Sequence, residues 1–314
     1  MDILITGING FVGSNLTKEW RERHALYGLD INQTPKEGVS KIFNWEEINE
    51  IPSINTIVHL AGKAHDTKNE SEAAEYFAVN TALTQQIFDY FLESDAEKFI
   101  FFSSVKAAAE NVAGEYLTED VVPAPKGPYG ESKIKAEEYI LSKQTLASLR
   151  QKKVYILRPC MIHGPGNKGN LNLLYKVVKM GIPWPLGAYE NRRSFCSIDN
   201  LSFVVEQLIV REDIPSGIFQ VCDDEALSTN ELIRLINDSL GKKTMIWKLP
   251  TSLINFAAMI CGVVHLPLNK ERLRKLTENY VVSNQKIKSA LGIERMPVSA
   301  REGIRKTLES FKNG

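Results

Sequence analysis

A tyrosine and a lysine four residues apart could carry proton transfer in this chain. Tyr129 opens the segment YGESK, which ends at Lys133, and helical residues at this spacing share one face. A phenol with a pKa near ~10 is a poor base at neutral pH, but a neighbouring ammonium favours the phenolate. Ser103 and Ser104 end an apolar run 25 residues earlier. Because ligands bind at the carboxyl ends of parallel strands, a serine there can bind the same substrate hydroxyl. The set predicts acid–base chemistry at a hydroxyl group, with an ordinary surface helix as the alternative.

A glycine-rich turn near the N-terminus has the features of a dinucleotide site. Gly7, Gly10 and Gly13 follow an apolar strand and open a helix, whose free N–H groups and positive dipole end suit a pyrophosphate. Asp30 stands 17 residues after Gly13, where a carboxylate can bind a ribose 2′-hydroxyl. This acid repels a 2′-phosphate, and no Arg or Lys follows it within three residues. The pattern predicts NAD as the cofactor.

Strands alternate with helices over the first 160 residues, as in a doubly wound α/β domain. The predicted strands cover 2–6, 25–29, 54–60, 98–104 and 154–157, and the helices cover 11–23, 71–94 and 129–149. Strands that are nearly all apolar indicate a parallel sheet covered on both faces. After Pro159 the helices dominate, at 171–179, 229–240, 253–261, 270–277, 284–291 and 299–311, while a strand at 217–222 returns to the sheet. We expect a dinucleotide-binding domain over 1–160 and a smaller, mainly helical part over 161–314.

Composition excludes several classes of function. The 314 residues carry 38 Lys+Arg and 38 Asp+Glu, a balance that argues against nucleic acid as the main partner, and their apolar content excludes a disordered chain. The four cysteines are scattered, which predicts no metal site and no disulfide framework and fits a reducing cytoplasm. The longest apolar stretch, 253–266, is too short to span a bilayer and predicts a buried or interface helix. The N-terminus has no secretory pattern.

Taken together, these motifs resemble the extended short-chain dehydrogenase/reductases, and within them the NAD-dependent nucleotide-sugar epimerase/dehydratase group. The similarity covers nearly the whole chain, through the glycine loop, Asp30, His59-Leu60-Ala61-Gly62, Ser103-Ser104-Val105, Pro128–Lys133, Leu157-Arg158-Pro159, His163–Gly166, Arg193-Ser194-Phe195 and Asp199-Asn200-Leu201. The resemblance implies a Rossmann-type sheet and a C-terminal part that binds the substrate.

The resemblance also implies a role for each matching residue. Tyr129 would be the catalytic acid and base, Lys133 would bind the nicotinamide ribose and lower the tyrosine pKa, and Ser104 would assist. The implied cofactor contacts are Gly7, Asn9, Gly10, Phe11, Val12, Gly13, Asp30, Asn44, Trp45, Leu60, Ala61, Gly62, Asn80, Ser103, Tyr129 and Lys133. The implied substrate contacts are Ser104, Tyr129, Asn170, Arg193 and Arg272, with Arg274 as the alternative to Arg272. A structural role for Asn80 remains open, and His59 is not expected to be catalytic.

The implied reaction is oxidation and reduction at C4 of a UDP-sugar. We expect a 4-epimerase of a UDP-hexose or UDP-N-acetylhexosamine. The first alternative is an NAD(P)H-dependent 4-ketoreductase of a UDP-4-keto-6-deoxy-hexosamine in surface-polysaccharide synthesis. The second is a non-catalytic NAD(H)-binding regulator, although such proteins typically lose the Tyr or Lys. Family members often form homodimers through the helices that correspond to 71–94 and 129–149.

Overall fold

The computed structural model describes residues 1–64, 72–167, 169–255 and 270–312. The helix predicted at 253–261 lies outside the described residues beyond position 255. In the part that is described, no helix combines the length and apolar character needed to cross a bilayer.

Seven parallel strands form the central sheet, in the order β3-β2-β1-β4-β5-β6-β9, and β7 and β8 form a separate parallel pair. In chain order the strands are β1 (Asp2–Thr6), β2 (Ala25–Leu29), β3 (Val39–Phe43), β4 (Thr56–His59), β5 (Lys98–Phe102), β6 (Lys153–Pro159), β7 (Met161–His163), β8 (Phe195–Ser197) and β9 (Gly217–Val221). Strands β4 and β5 are buried along their whole length, as expected where helices cover both faces. The expected doubly wound, Rossmann-type sheet is confirmed.

Helices cover both faces of this sheet. They are α1 (Phe11–Trp20), α2 (Ala73–Tyr76), α3 (Leu83–Glu93), α4 (Val105–Ala108), α5 (Gly127–Ser142), α6 (Gln144–Leu149), α7 (Asn170–Lys179), α8 (Ile198–Val210), α9 (Thr229–Ser239), α10 (Lys270–Thr277), α11 (Gln285–Leu291) and α12 (Ala300–Ser310). One core contains apolar residues of α1 and α8, and the core on the opposite face contains those of α3 and α5. A 3₁₀ helix spans Trp45–Glu50, and a π-helical segment, Phe77–Ala82, joins α2 to α3.

Strand β3 of the sheet and helix α8 beside it are among the elements that the sequence did not predict. Strand β3 has the mixed sequence VSKIF, with exposed residues in its first half, so it lacks the apolar run of the other strands. Helix α8 lies beyond residue 160 but packs against α1. The strand predicted near 217–222 is β9, which pairs with β6. Helix α8 therefore completes a helical layer, and strand β9 completes the sheet, that the first 160 residues begin.

A third core holds the C-terminal part together. It gathers buried residues from α7, α9 and α12, including Tyr175, Ile236 and Ile304. Helix α9 begins with a capping box, in which the Ser228 side chain accepts from the Glu231 backbone and the Glu231 side chain accepts from Ser228. Such a cap satisfies N–H groups that the first helical turn cannot pair.

Candidate active site

The carboxyl ends of four neighbouring strands bring the predicted cofactor residues together. The sheet register aligns Leu29, Thr6, His59 and Phe101, so the loops that follow β2, β1, β4 and β5 lie side by side. Gly7 has a positive φ of 67°, and a Cβ atom there would lie 2.8 Å from the Ala61 backbone nitrogen. A larger residue at position 7 would push the loop after β1 away from the loop after β4, which explains the need for glycine.

The N-terminus of α1 is open for an anion. Gly10 occupies the N-cap position without a side-chain cap, and no acidic residue lies in the first turn. Phe11, Val12 and Gly13 begin the helix, and Val12 packs against the sheet core. Unpaired N–H groups and the helix dipole are what a pyrophosphate requires, so these residues fit a dinucleotide.

Asp30 is positioned at the end of β2 by backbone donors. The Asn9 N–H donates to Asp30 Oδ2 at 3.0 Å, and the Asn32 N–H donates to Oδ1 at 3.1 Å. Lys36 lies beside the same loop, where its Nζ donates to the Ile8 carbonyl at 2.6 Å and to Ser14 Oγ at 2.9 Å. Burial lowers the pKa of Lys36, and the Asp30 charge opposes that effect. Lys36 stands six positions after Asp30, beyond the three residues that the sequence argument considered.

Asn44 has a capping role at the predicted adenine end. Its side-chain oxygen accepts from the N–H groups of Glu46 and Glu47, at 2.8 and 3.0 Å. Trp45 makes an edge contact with His59, with ring centroids 6.4 Å apart. Contact of Asn44 and Trp45 with adenine stays a prediction.

Tyr129 lies beside Ser104 at the substrate end of the sheet. It occupies the first turn of α5, and Ser104 is the N-cap residue of α4, where its Oγ accepts from the Lys106 N–H at 3.2 Å. Burial raises the pKa of Tyr129, and a hydrogen bond with Ser104 acts in the opposite direction. The Tyr76 ring meets the Tyr129 ring edge-on at 6.4 Å. The preference for Ser104 over Ser103 fits this geometry, and the expected effect of Lys133 on the Tyr129 pKa stays a prediction.

Lys133 is buried between the sheet and the loop after β4. Its Nζ donates to the Phe102 carbonyl at 2.8 Å and lies 4.9 Å above the Phe101 ring. A Cβ atom on Gly62 would lie 3.0 Å from this Nζ, so the segment Leu60-Ala61-Gly62 passes directly over the ammonium. Burial lowers the pKa of Lys133 to about 8.

Asn80 fixes that loop from the π-helical segment. Its Oδ1 accepts from the Lys63 N–H at 2.7 Å, while its Nδ2 donates to the Lys63 carbonyl at 3.1 Å and to Ser132 Oγ at 2.9 Å. Both ends of the amide are therefore used within the protein. His59, which was not expected to be catalytic, is fully buried between Thr6 and Thr84.

Ser103 belongs to a buried charged cluster behind the tyrosine and lysine. Its hydroxyl donates to Glu137 Oε1, and Glu137 is paired with Arg158 through contacts of 2.6 to 3.2 Å. Both charged side chains are almost fully buried. This ion pair holds β6 against α5, and sequence analysis missed it because residues 137 and 158 lie on different elements. The predicted contact of Ser103 with the cofactor remains a prediction.

The predicted substrate residues lie among charges from distant segments. The backbone of Arg193 bridges to Leu227 and Tyr280, and burial lowers the pKa of its guanidinium while Glu278 and Glu110 raise it. Arg274 faces the same two carboxylates at 3.8 and 3.7 Å. Asn170 is exposed at the first position of α7. Arg272 lies in α10, and its side chain is outside the described residues.

Lys106 connects this charged group to Ser104. Its Nζ lies 4.4 Å above the Tyr280 ring and contacts the Glu110 carboxylate at 3.2 Å. Burial lowers its pKa, and the Arg193 charge adds to that effect. Lys106 stands two residues after Ser104, just outside the motif Ser103-Ser104-Val105, so no motif in the sequence includes it. Across the described ranges, no three His, Cys, Asp or Glu side chains form a metal site.

Comparison with known proteins shows the family of this chain. A model of the NAD dependent epimerase/dehydratase family matches residues 3–222. The chain is 32% identical to a UDP-glucose 4-epimerase of Vibrio cholerae, over 98% of this chain and 95% of that protein. It is 25% identical to an Escherichia coli O157:H7 N-acetyl-alpha-D-glucosaminyl-diphospho-ditrans,octacis-undecaprenol 4-epimerase, over 91% of this chain and 84% of that one.

A solved structure has the same fold. The Thermus thermophilus UDP-glucose 4-epimerase in complex with NAD superimposes with a TM-score of 0.75 at 22% identity, and the match covers 100% of each chain. The family resemblance inferred from the motifs is confirmed, and so is the expectation of NAD as the cofactor.

Proposed function

This chain belongs to the NAD dependent epimerase/dehydratase family, and on that premise we propose that it is a 4-epimerase of a UDP-hexose or UDP-N-acetylhexosamine. One observation carries the proposal: Tyr129 lies within hydrogen-bonding reach of Ser104 at the carboxyl end of β5, and the buried Lys133 lies one turn further along α5. Such a set can take the proton of a substrate hydroxyl while the carbon that bears it passes hydride to NAD.

Three groups within residues 1–160 are suited to bind NAD. The uncapped start of α1 would receive the pyrophosphate, the Asp30 carboxylate would accept from a ribose hydroxyl, and Lys133 would donate to the nicotinamide ribose. When bound there, NAD supplies the oxidant and then the reductant for C4. Residues 1–160 would bind the cofactor, and 161–314 mainly the sugar nucleotide.

Each catalytic side chain would have a separate task. Tyr129 would remove the proton of the 4-hydroxyl and return a proton when the 4-keto sugar is reduced on its other face. Ser104 would hold the same hydroxyl oxygen through a hydrogen bond. Lys133 would stabilise the phenolate electrostatically, because a cation near Tyr129 lowers the cost of its negative charge.

Arg193 would bind the diphosphate of the substrate, and Arg274 or Arg272 would add a second guanidinium. Guanidinium groups bind phosphate oxygens bidentately. Lys106 would lie between the diphosphate and the reacting sugar, because it packs on Tyr280 within the Arg193 group and stands two residues after Ser104. Asn170 would contact the diphosphate from the start of α7.

The test begins with the cofactor that the purified protein retains. The protein is denatured, the released nucleotide is identified by chromatography and mass, and UDP-glucose and UDP-GlcNAc are then assayed for 4-epimerisation. Near-stoichiometric NAD and turnover of either sugar are expected, since an epimerase uses its cofactor in both half-reactions.

Other outcomes would point elsewhere. A protein that is purified empty, binds added NADH or NADPH and reduces a UDP-4-keto-6-deoxy sugar would be the 4-ketoreductase. Bound NAD without turnover, together with a Tyr129→Phe strain of unchanged phenotype, would indicate a regulator. Failure to bind any dinucleotide would refute the assignment from Gly7 to Lys133.

Assembly and location complete the proposal. A homodimer would form through α3 and α5, by analogy with the family, and sedimentation of the wild-type protein tests it. A cytoplasmic location is supported by Cys160, Cys196 and Cys222, which are free and buried, because thiols stay reduced in that compartment.

A further inference from the structure

Helix α7 has two apolar stripes, and the described structure packs only one of them. Leu171, Tyr175 and Val178 face the third core and are buried. Leu173, Val177 and Met180 repeat the same spacing on another side and are 50%, 38% and 65% exposed. Soluble proteins rarely expose a contiguous apolar stripe unless it binds something.

The exposed stripe continues onto a second segment. Ile182 follows α7 and is 58% exposed, and Met245 and Trp247 are 46% and 54% exposed. The backbones of Met245 and Trp247 bond to that of Trp184 at 2.9 and 2.8 Å. Ile182 and Met245 also line one cavity of about 260 Å³. These six residues, Leu173, Val177, Met180, Ile182, Met245 and Trp247, form what we term the α7 face.

The charge around the α7 face has one sign. Residues 169–189 and 240–255 contain no Asp or Glu, although the whole chain has equal numbers of acidic and basic residues. Within the two segments lie five exposed lysines, Lys176, Lys179, Lys242, Lys243 and Lys248. Lys242 Nζ donates to the Lys179 carbonyl at 2.7 Å, which places the two groups of lysines next to each other.

We propose that the α7 face docks on the surface of an anionic phospholipid membrane. Apolar side chains on one side of a helix can enter the boundary between headgroups and acyl chains, while lysines around them reach the phosphates. Each lysine near such a surface strengthens binding by about fivefold. A neutral protein partner would gain nothing from the lack of acids on both segments, and binding to protein-free anionic vesicles distinguishes a membrane from an acidic protein. Docking is separate from catalysis, and its test measures vesicle binding.

The experiment is flotation of the full chain with vesicles of phosphatidylcholine alone or with about 30% phosphatidylglycerol, at low and physiological salt. The protein should float with the anionic vesicles only. Lys242→Ala with Lys243→Ala should weaken binding about 25-fold, and Met180→Ser with Ile182→Ser should also weaken it. The matched control, Lys18→Ala with Lys41→Ala on the cofactor half, should bind as the wild type does.

Trp247 gives a direct reading of the contact. Its emission should shift to the blue on anionic vesicles, because the indole leaves water. Of the other tryptophans, Trp20 and Trp184 are buried and Trp45 lies on the cofactor half. Trp247→Phe should float normally and lose the shift. Absence of flotation, equal loss in the control pair, or a shift that survives Trp247→Phe would overturn the proposal. So would a lipid-free dimer that Met180→Ser with Ile182→Ser converts to monomer, since the face would then bind a second copy.

Discussion

The cofactor side of the site and its substrate side are built in different ways. On the cofactor side, each loop follows its own buried strand, and the loops are fixed by contacts such as those of Asn80 and Lys133. On the substrate side, Lys106, Arg193 and Tyr280 come from segments up to about 170 residues apart and meet as a partly exposed group of charges. The proposed catalytic groups thus lie on loops that follow buried strands, and the proposed recognition groups come from segments that only the fold brings together.

The largest effect should follow a change at Tyr129, where the cofactor side and the substrate side meet. Tyr129→Phe removes the acid and base, so kcat for epimerisation should fall by about 10³-fold, within the range usual for such groups. The bound NAD and the free energy of unfolding should change little. The control is Tyr116→Phe, because Tyr116 is 45% exposed. If Tyr129→Phe kept its kcat, the catalytic assignment would fail.

The buried pair of Glu137 and Arg158 is expected to stabilise the packing of α5 on β6. Glu137→Gln leaves Arg158 buried without its counter-charge, which typically costs about 3–5 kcal/mol of unfolding free energy. Glu138→Gln is the matched control, since Glu138 pairs with Lys135 on the surface and should change stability by less than about 1 kcal/mol. Urea unfolding curves compare the two. Equal losses would mean that the Glu137–Arg158 pair is not what holds α5 to β6.

A pH series should separate the effect of Lys133 on the free energy of unfolding from its effect on activity. The pKa of Lys133 is about 8 in the folded protein and about 10.4 in an unfolded chain. Between these values the unfolded state binds the extra proton, so this group's contribution to stability rises with pH. Relative to Lys133→Met, the wild type should gain about 3 kcal/mol of unfolding free energy from pH 7.5 to 10.5. A parallel pH dependence in both proteins would contradict the burial of the charge, and activity should fall in Lys133→Met at all pH values.

On the substrate side, binding should suffer more than chemistry. Arg193→Met should raise KM for the UDP-sugar by about 10- to 100-fold, as expected for lost hydrogen bonds to a charged group, and leave kcat within a small factor. Arg192→Met is the control, because Arg192 is the exposed neighbour. A fall in kcat with unchanged KM would place Arg193 in the chemical step. The proposed division between catalytic groups and substrate-binding groups would then be wrong.

The smallest effect should concern the choice of cofactor. Asp30→Ala removes the charge that repels a 2′-phosphate while Lys36 remains beside the loop, so the ratio of Kd for NADPH to that for NADH should fall about tenfold, which corresponds to about 1.4 kcal/mol. Adding Lys36→Met to Asp30→Ala should bring this Kd ratio most of the way back to its wild-type value. If Lys36→Met leaves the Kd ratio unchanged, the role of Lys36 is limited to holding the loop through the Ile8 carbonyl and Ser14.

How far the sequence leads depends on whether a feature is local. Strands β1 and β2 and helix α10 have the predicted bounds, because each follows from its own run of residues. The glycine loop, Asp30 and the Tyr129–Lys133 pair were found for the same reason. Lys36, the Glu137–Arg158 pair and the Lys106–Tyr280 contact need residues that only the fold brings together, so no periodicity could reveal them. Helix α8 was not predicted, because its residues are buried on most sides and its sequence lacks the contrast between an apolar and a polar face.

The late position of β9 has a consequence for the synthesis of this protein. Strand β6 ends at Pro159, but its outer neighbour β9 begins only at Gly217. Translation of the roughly 60 intervening residues takes about 3–12 s at about 5–20 residues per second. During that time β6 is an open apolar edge, the kind of edge to which other strands add. The order of synthesis therefore leaves β6 without its outer neighbour until the ribosome has passed Val221, however stable the finished sheet is.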